Sequence, residues 1–568
     1  MNTDKRVLVA IVLSIAVWLM YESFLAPPKT EPPAPSPSQS QVQESTAIKT
    51  QTLPARVGEA ELTIKKPQKM TPQQPVEPGR IITVNDKLYR MRLDEAQAGL
   101  SSIRLLNYKE SLPPPALTAW IHKTFKLKSN AQNNGPDNFK EMIHLSPPDP
   151  LPINTSFVYP DGTISSVSNW QDGSAADEFN VQTRPEHLVF SGVDQKKIQF
   201  KKGFEFTPDK YKIIFDMVIT NTSQTTIEGN PFLEWTTKKP EESGGGMFSS
   251  SGQSAPRFTY MIKDNVEKKN LDDIEEEIII QGDDISWTAI EEKYFISAVI
   301  PLEQRPAQIR LSSGERIVSY KLVYPYLQLN PGQSQTFKFA LYIGPRDIDI
   351  LRNQGAQLER TIDFGWFDII SKPLLLTLKF LNGFLHNWGV SIIVLTIIIK
   401  LLFWPLTNKS FKSMKGMQKL QPEIKELKEK YKDNKEEFAK QQMALFKKYK
   451  VNPLGGCLPM VLQIPVFIAL YRALMDSIEL RHATFIPFWI NDLAAKDPTY
   501  IAPLIMGASM FLQQKMTPTT VDPSQAKIMM FMPIIFTVMF LNFPAGLVIY
   551  WLVNNLISIG QQMYINKK

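Results

Sequence analysis

Apolar positions are unevenly spread along this chain, and their spacing changes from one stretch to the next. Residues Val7–Leu25 form a continuous apolar run behind Lys5 and Arg6. The run is long and no A-x-A site follows it, since Ala26 is succeeded by Pro27-Pro28. That disfavours a cleavable signal peptide, so residues 1–26 are expected to be an N-terminal transmembrane anchor with its basic end in the cytoplasm. Residues 27–78 are rich in Pro, Ser, Gln and Thr without apolar periodicity, which predicts a disordered, semi-rigid linker. Across 79–345 the period becomes two. Tyr89, Met91 and Leu93 alternate with Arg90 and Arg92, and Ile213, Phe215, Met217 and Ile219 mark a second such run. Phe337, Phe339, Leu341 and Ile343 mark a third, and turn signals such as Pro160-Asp161-Gly162 and Asn330-Pro331-Gly332 separate the runs. This predicts a large antiparallel β-sandwich.

At 363–387 the spacing shifts to three and four. Phe367, Ile370, Leu374, Leu378, Leu381 and Leu385 share one side, while Asp368, Lys372, Lys379, Asn382 and His386 share the other. Such a helix just ahead of a membrane span is expected to lie flat in the outer interface, with Pro373 bending or breaking its first turns. Apolar stretches then follow at Trp388–Leu406, about Pro453–Ile478, Tyr500–Leu512, Ile528–Phe543 and Leu547–Ile559. With the anchor they predict six transmembrane helices: a polytopic α-helical membrane protein carrying a large β-sandwich domain outside.

Charge sets the orientation. Between the first two of these stretches, residues 408–452 hold more than twice as many lysines as acids, and a short loop of that kind belongs in the cytoplasm. The nearly neutral Arg481–Lys496 loop fits the outside. Both termini are thus expected in the cytoplasm and residues 27–387 in the periplasm. Leu420, Ile424, Leu427 and Tyr431 repeat on one face of the lysine-rich segment, and Asp433-Asn434 interrupts the pattern before Phe438, Met443 and Phe446. A helical hairpin is the economical reading, and lysine-rich helices suit anionic lipid or RNA phosphate.

The membrane stretches contain polar residues and helix breakers that a rigid bundle does not need. Pro459 and Pro465 flank Gln463; Pro503 and Gly507 interrupt another stretch; Asn542, Asn554, Asn555 and Gln561 follow. The costliest is Lys400, since a charged side chain at the bilayer centre costs at least about 2.5–3.5 kcal/mol. Thr396 is one turn away on the same face. Lys400 either snorkels to the cytoplasmic headgroups, about 7–8 Å away at Pro405, or wets a cavity with Thr396 and Gln463. The residues alone leave both readings open. Arg472 and Asp476 are expected to pair at the outer end of their span.

With 568 residues the chain exceeds a single core. A mean hydropathy of −0.17 would suggest a soluble protein, but it averages two very different regions. The net charge of +7 is likewise concentrated. One cysteine, Cys457, rules out an internal disulfide. His122, His144 and His187 lack metal-ligand spacing, and the acidic cluster Asp272–Glu277 lacks the pattern of a calcium loop. There is no phosphate-binding loop, dinucleotide fingerprint or nucleophile motif. No enzyme activity, cofactor or metal is expected, and no DNA partner.

Three segments carry a recognisable pattern: V-N-P-L-G-G-C-L-P-M-V-L-Q-I-P-V-F-I-A-L-Y at 451–471, Q-K-M-T-P-T-T-V-D-P at 514–523 and F-P-A-G-L-V-I-Y-W at 543–551. They resemble the YidC membrane insertase family, over roughly Phe364–Tyr564, and the anchor with its outside domain looks like the Gram-negative version. The resemblance implies a periplasmic supersandwich and, in 388–568, a five-helix core with a cytoplasm-facing polar groove in the bacterial inner membrane. It places the groove charge on Lys400 and other client-facing positions on Thr396, Gln463, Phe467, Met506 and Trp551. It implies nascent membrane proteins as clients, inserted with or without the Sec translocon (SecYEG, SecDF), and anionic lipid around them. The family charge is usually Arg; here it is Lys, a compact point charge without the planar fork. The chain ends soon after its last span, so docking of a ribosome or targeting receptor would fall to the 408–452 hairpin. Rival readings are an ion or solute transporter, which predicts an internal repeat, and a membrane-anchored periplasmic carbohydrate-binding protein.

Overall fold

The computed structural model describes residues 79–125, 137–145, 149–167, 169–173, 177–181, 187–239, 256–432, 434–449, 451, 458–516 and 523–567. The expected anchor and linker at 1–78, and Cys457, lie outside the described residues.

Residues 81–345 build three sheets. A nine-stranded sheet runs in the order Asn265–Asn270, Arg257–Ile262, Ile285–Glu291, Phe295–Pro301, Ser334–Pro345, Lys212–Asn221, Ile198–Phe206, His187–Val193, Gln171–Asp172. A second contains Ile278–Gly282, Ala307–Ser313, Ile317–Val323, Ile227–Lys238 and Leu327–Leu329, with Asn154–Val158 pairing onto Ile227–Lys238. A five-stranded sheet runs Phe139–Glu141, Gly99–Lys109, Tyr89–Asp94, Ile81–Asn85, Glu178–Asn180. Its last pairing is parallel, an exception to the otherwise antiparallel ladders. Alternation explains the layering: in Lys212–Asn221, Ile213, Phe215, Met217 and Ile219 are buried while Ile214, Asp216, Val218 and Thr220 are half-buried. Phe258 and Tyr320, from two different sheets, meet with ring centroids 4.9 Å apart, as Tyr324 and Phe339 do at 6.3 Å. The sheets therefore share one aromatic-rich core.

A buried cation sits in that core. Lys202 is 0% exposed, and its Nζ donates to the carbonyls of Gln97, Ala98 and Ile153 at 3.3, 3.0 and 2.9 Å. Trp170 covers it, with the ring centroid at 4.5 Å. Ala98 and Ile153 both have positive φ, 44° and 66°, which is unusual for any non-glycine and costly for a β-branched one. The bends that aim these two carbonyls at the ammonium are thus held against local backbone preference.

The β-rich domain also carries a helix, α1 (Ala116–Phe125), which the period-two pattern did not suggest. It is followed in the chain by a short α2 (Ile348–Arg352), capped by the Asp347 carboxylate, which accepts from the amides of Asp349 and Ile350. The helical part then comprises α3 (Asp368–Leu385), α4 (Trp388–Lys419), α5 (Gln421–Lys430), α6 (Lys435–Lys448), α7 (Leu458–Asp476), α8 (Ile501–Met516), α9 (Pro523–Phe540) and α10 (Ala545–Lys567). Among the described residues, α4 is long and apolar enough to cross a membrane, and Met530–Phe540 is a shorter apolar segment.

Three local findings bear on these expectations. Pro373 neither ends nor breaks α3 but sits inside it. Ser371, Leu375 and Leu378 form the packed face of α3, while Ile369, Leu376, Phe380 and Phe384 are exposed, so the outward side carries apolar residues outside the stripe that the spacing named. Lys379 leaves that side to pair with Asp349, Glu479 and Asp347 at 2.5, 3.1 and 3.2 Å. Burial alone would lower the Lys379 pKa, but the three carboxylates outweigh it and hold the ammonium well above its ordinary value. This cluster ties α3 to the end of the β-rich domain. Asp476, finally, does not form an ion pair with Arg472; it lines a polar crevice with Arg257, Lys268, Glu291 and Arg346 of the β-rich domain.

Candidate functional site

The site begins with how α4 is anchored. Asn387 caps it, accepting from the Val390 amide at 3.1 Å and donating to the Phe485 carbonyl at 3.1 Å. Gly389 follows because the Phe485 ring occupies the space a side chain would need. The helix then continues past the expected boundary at 408, through Pro405, to Lys419. Its packed face is Ile392, Leu395, Thr396, Ile399 and Lys400, and its exposed face includes Ile397, Ile398, Leu401 and Leu402. Lys400 therefore lies on the packed side. It is 7% exposed, and its Nζ donates to Ser558 Oγ on α10 at 2.7 Å. The amine is directed across the bundle, not along α4 toward the headgroups. No described ion pair includes Lys400, so a neutral hydroxyl meets the charge.

Ser558 belongs to a polar stripe on α10. Asn554, Asn555, Ser558, Gln561 and Gln562 recur at helical spacing, and each reaches a different neighbour. Asn554 Oδ1 accepts from Gln463 Nε2 on α7 at 2.5 Å, and the Asn554 carbonyl accepts from Ser558 Oγ at 2.8 Å. Asn555 Nδ2 donates to Ser509 Oγ on α8 at 3.2 Å. Gln561 donates to Asn408 Oδ1 at 3.0 Å, and Gln562 to the Met516 carbonyl at 2.7 Å. The stripe so joins α4, α7 and α8 around α10. It is not saturated: the Gln561 and Gln562 amide oxygens and the Trp551 indole N–H are buried without a hydrogen-bond partner among the described residues. Orphaned polar atoms in such a setting cost about 1–3 kcal/mol each.

Beside the stripe lies an aromatic cluster. Phe467 and Trp551 meet edge-on at 4.7 Å, and Phe540 and Phe536 approach Trp551 at 5.3 and 6.2 Å. This joins α7, α9 and α10. Gly507 on α8 lets Thr537 of α9 approach closely, leaving no room for a Cβ.

The sequence-derived candidates divide accordingly. Lys400 and Gln463 both reach the α10 stripe, through Ser558 and Asn554, and Phe467 and Trp551 form the adjoining cluster. Thr396 is 1% exposed and donates to the Ile392 carbonyl of its own helix at 2.6 Å. Met506 is 0% exposed, within the helical core. Ser558 and Gln562 were missed, although Ser558 lies four residues after Asn554 and that spacing was a usable signal. In the lysine-rich segment, α5 and α6 are joined by Tyr449 Oη donating to Glu423 Oε1 at 2.9 Å, and Asn434 caps α6 by accepting from Glu437 N at 3.0 Å. Among the described residues no three His, Cys, Asp or Glu side chains converge as a metal site.

Comparison with known proteins gives two family matches. Residues 380–568 match the family described as 60Kd inner membrane protein, and residues 81–377 match the YidC periplasmic domain. "Membrane protein insertase YidC" of Syntrophus aciditrophicus (strain SB) is 41% identical over 572 residues, covering 100% of both chains. The protein of that name from Geotalea daltonii is 38% identical over 565 residues, covering 99% of each. A crystal structure titled as an active YidC insertase with its first transmembrane domain resolved is 18% identical, covers 86% of this chain and 93% of its own, and superposes with a TM-score of 0.36.

Proposed function

The chain belongs to the YidC family of membrane protein insertases, with a β-rich periplasmic domain, and from that premise we propose that it inserts nascent membrane proteins at the Lys400–α10 stripe. The observation that carries this reading is the partnering of Lys400: a buried ammonium facing one hydroxyl and no described carboxylate. Such a charge attracts an acidic or polar client segment and lowers the cost of bringing it into the bundle. The client's apolar segment leaves along Phe467, Trp551 and α9, and its transfer into lipid supplies the free energy. Each acidic charge moved outward gains about 2.3 kcal/mol per 100 mV of membrane potential. Nothing in this cycle requires a covalent step or a nucleotide.

Six spans, both termini in the cytoplasm and residues 27–387 in the periplasm complete the reading. The α5–α6 hairpin, rich in exposed lysine, is the surface offered to ribosome, targeting receptor or anionic lipid, and insertion proceeds with or without the Sec translocon as a partner. Thr396 and Met506, both buried, shape the wall rather than touch the client.

The test is insertion of a client with an acidic outside segment in cells depleted of the native protein and supplied with Lys400→Arg, Lys400→Ala or Lys400→Glu. Protease accessibility of the outside segment reports insertion. Arg is expected to work, Ala to be weakened and Glu to fail; equal insertion by Glu and Lys would sink the electrostatic step.

A further inference from the structure

A second surface of note is α1, the helix within the β-rich domain. Its first turns are fastened to the loop between α7 and α8. Leu117 N donates to the Phe488 carbonyl at 2.9 Å, and Asn491 Nδ2 donates to the Pro113 carbonyl at 2.8 Å. Arg481 Nη2 donates to the carbonyls of Lys109 and Glu110, just ahead of α1, at 2.6 and 3.1 Å. The Arg481 guanidinium also lies over the Phe295 ring, 5.2 Å from its centroid, within cation–π range. α1 is therefore held at the level where two membrane helices emerge, next to the end of the domain that the Lys379 cluster fastens to α3.

At that level α1 presents large apolar side chains outward. Trp120 is 60% exposed and Phe125 68%, and Phe488 on the adjoining loop is 60% exposed. Ala116, Ala119, Lys123 and Thr124 share the exposed positions, so the surface combines aromatic rings with a lysine. Trp and Phe beside a long cation is the composition of a helix lying at a membrane–water boundary. At α3 the same kind of surface recurs, with Trp366 just ahead of the helix at 97% exposure and Phe380 and Phe384 exposed along it.

From these two matching surfaces we propose that α1 is a second interfacial helix, seated in the headgroup region of the outer leaflet, with Trp120 toward the acyl chains, Phe125 at the exposed helix end, and Lys123, one turn from Trp120, toward lipid phosphate. It rests on the membrane reading of the helical part. Through α1 the β-rich domain is fixed to the bilayer directly as well as through α3. The surface takes phospholipid, not a protein ligand.

Full-length protein with Cys457→Ser, reconstituted into vesicles of phosphatidylethanolamine and phosphatidylglycerol, provides the test. Single cysteines at Ala119→Cys and Thr124→Cys, which leave the aromatic residues in place, carry an environment-sensitive fluorophore. Leu402→Cys on the exposed face of α4 and Val193→Cys at an exposed strand end serve as references. Labels at 119 and 124 are expected to show blue-shifted emission, to be quenched by a lipid carrying a shallow spin label, and to be shielded from iodide. Adding Trp120→Ser and Phe125→Ser is expected to return them toward water. If they respond to iodide as position 193 does while position 402 responds to lipid, α1 is not interfacial and the membrane reading stands. Shielding from both quenchers would mean that protein covers the helix, and would overturn the lipid assignment. An iodide response at 402 would instead overturn the membrane reading itself.

Discussion

Lys202 lies in the β-rich domain and Lys400 in the helical core, and both are nearly out of solvent, but their ammonium groups are met differently. An ammonium has three donors. At Lys202 three backbone carbonyls receive them and a Trp170 ring covers the remaining side. At Lys400 one hydroxyl is in reach, and that hydroxyl is itself donated to the Asn554 carbonyl. The first site is complete without any further molecule, and it holds two residues with positive φ in place. The second has hydrogen-bonding capacity left over, as do Trp551, Gln561 and Gln562 nearby. Completeness fits a structural cation, and spare capacity is what the proposed client-facing role of Lys400 requires.

The largest expected effect comes from breaking the complete site. Lys202→Met keeps the apolar stem but leaves the Gln97, Ala98 and Ile153 carbonyls without their donor. At about 1–3 kcal/mol for each buried orphan, partly relieved by relaxation, the domain should lose about 3–5 kcal/mol. Thermal unfolding of the detergent-solubilised protein, followed by near-ultraviolet circular dichroism, measures it. A loss under about 1 kcal/mol would mean that the carbonyls find other donors and that the contrast with Lys400 is empty.

The same change in the helical core should have the opposite sign. Lys400→Met removes a charge that costs about 2.5–3.5 kcal/mol at membrane depth and strands only Ser558, which retains the Asn554 carbonyl. Stability is expected to rise by about 1–3 kcal/mol while insertion of an acidic client falls. A Lys400→Met protein that unfolds more easily would make Lys400 a structural residue like Lys202.

Protonation sharpens the contrast further. Burial pushes the Lys202 pKa down to about 7, whereas an unfolded lysine titrates near 10.4. Between those values the unfolded chain holds a proton that the folded chain has released, so stability rises with pH across the window, by up to about 1.4 kcal/mol per unit. Below about pH 7 both states are charged and the dependence vanishes. The stability difference between wild type and Lys202→Met should therefore widen as the pH is raised from about 7 toward 10. A constant difference would show that Lys202 keeps its proton.

How much of this was legible in the residues follows from the kind of signal each feature leaves. Alternation in Lys212–Asn221 and Ser334–Pro345 marked the strands, because one buried face imposes a period of two. Lys400 was conspicuous because charge is rare in a long apolar run. Lys202 was not, since lysines are ordinary in a strand, and its burial depends on carbonyls from residues about fifty and a hundred positions away. Which residues of α3 pack was hidden for a related reason: in water an apolar face turns inward, but beside lipid an apolar face can turn outward, and Lys379 is drawn to carboxylates from two other segments. Asp476 lines a crevice with residues of the β-rich domain instead of pairing with Arg472, and that placement depends on segments far away in the chain. Helical spacing did contain Ser558 and Gln562 once Asn554 was noticed, whereas the burial of Met506 depends on how α8 packs and leaves no mark in the chain.

The smallest expected effect discriminates most finely. Ser558→Ala removes the hydroxyl that Lys400 meets, and an interhelical hydrogen bond in a membrane is worth on average about 0.6 kcal/mol. If Lys400 needed its acceptor as Lys202 needs its three, the variant would behave like a broken buried pair and lose about 3 kcal/mol or more. With spare capacity and a polar stripe around it, the ammonium can turn to Asn554 or to water, so the expected loss is under about 1 kcal/mol. Insertion of an acidic client should then persist, because the client meets the charge and not the hydroxyl. Measuring stability and insertion together on this variant separates the two roles: a large loss of both would assign Ser558 and Lys400 to the scaffold, whereas a small loss of stability with insertion retained leaves Lys400 free to act on the client.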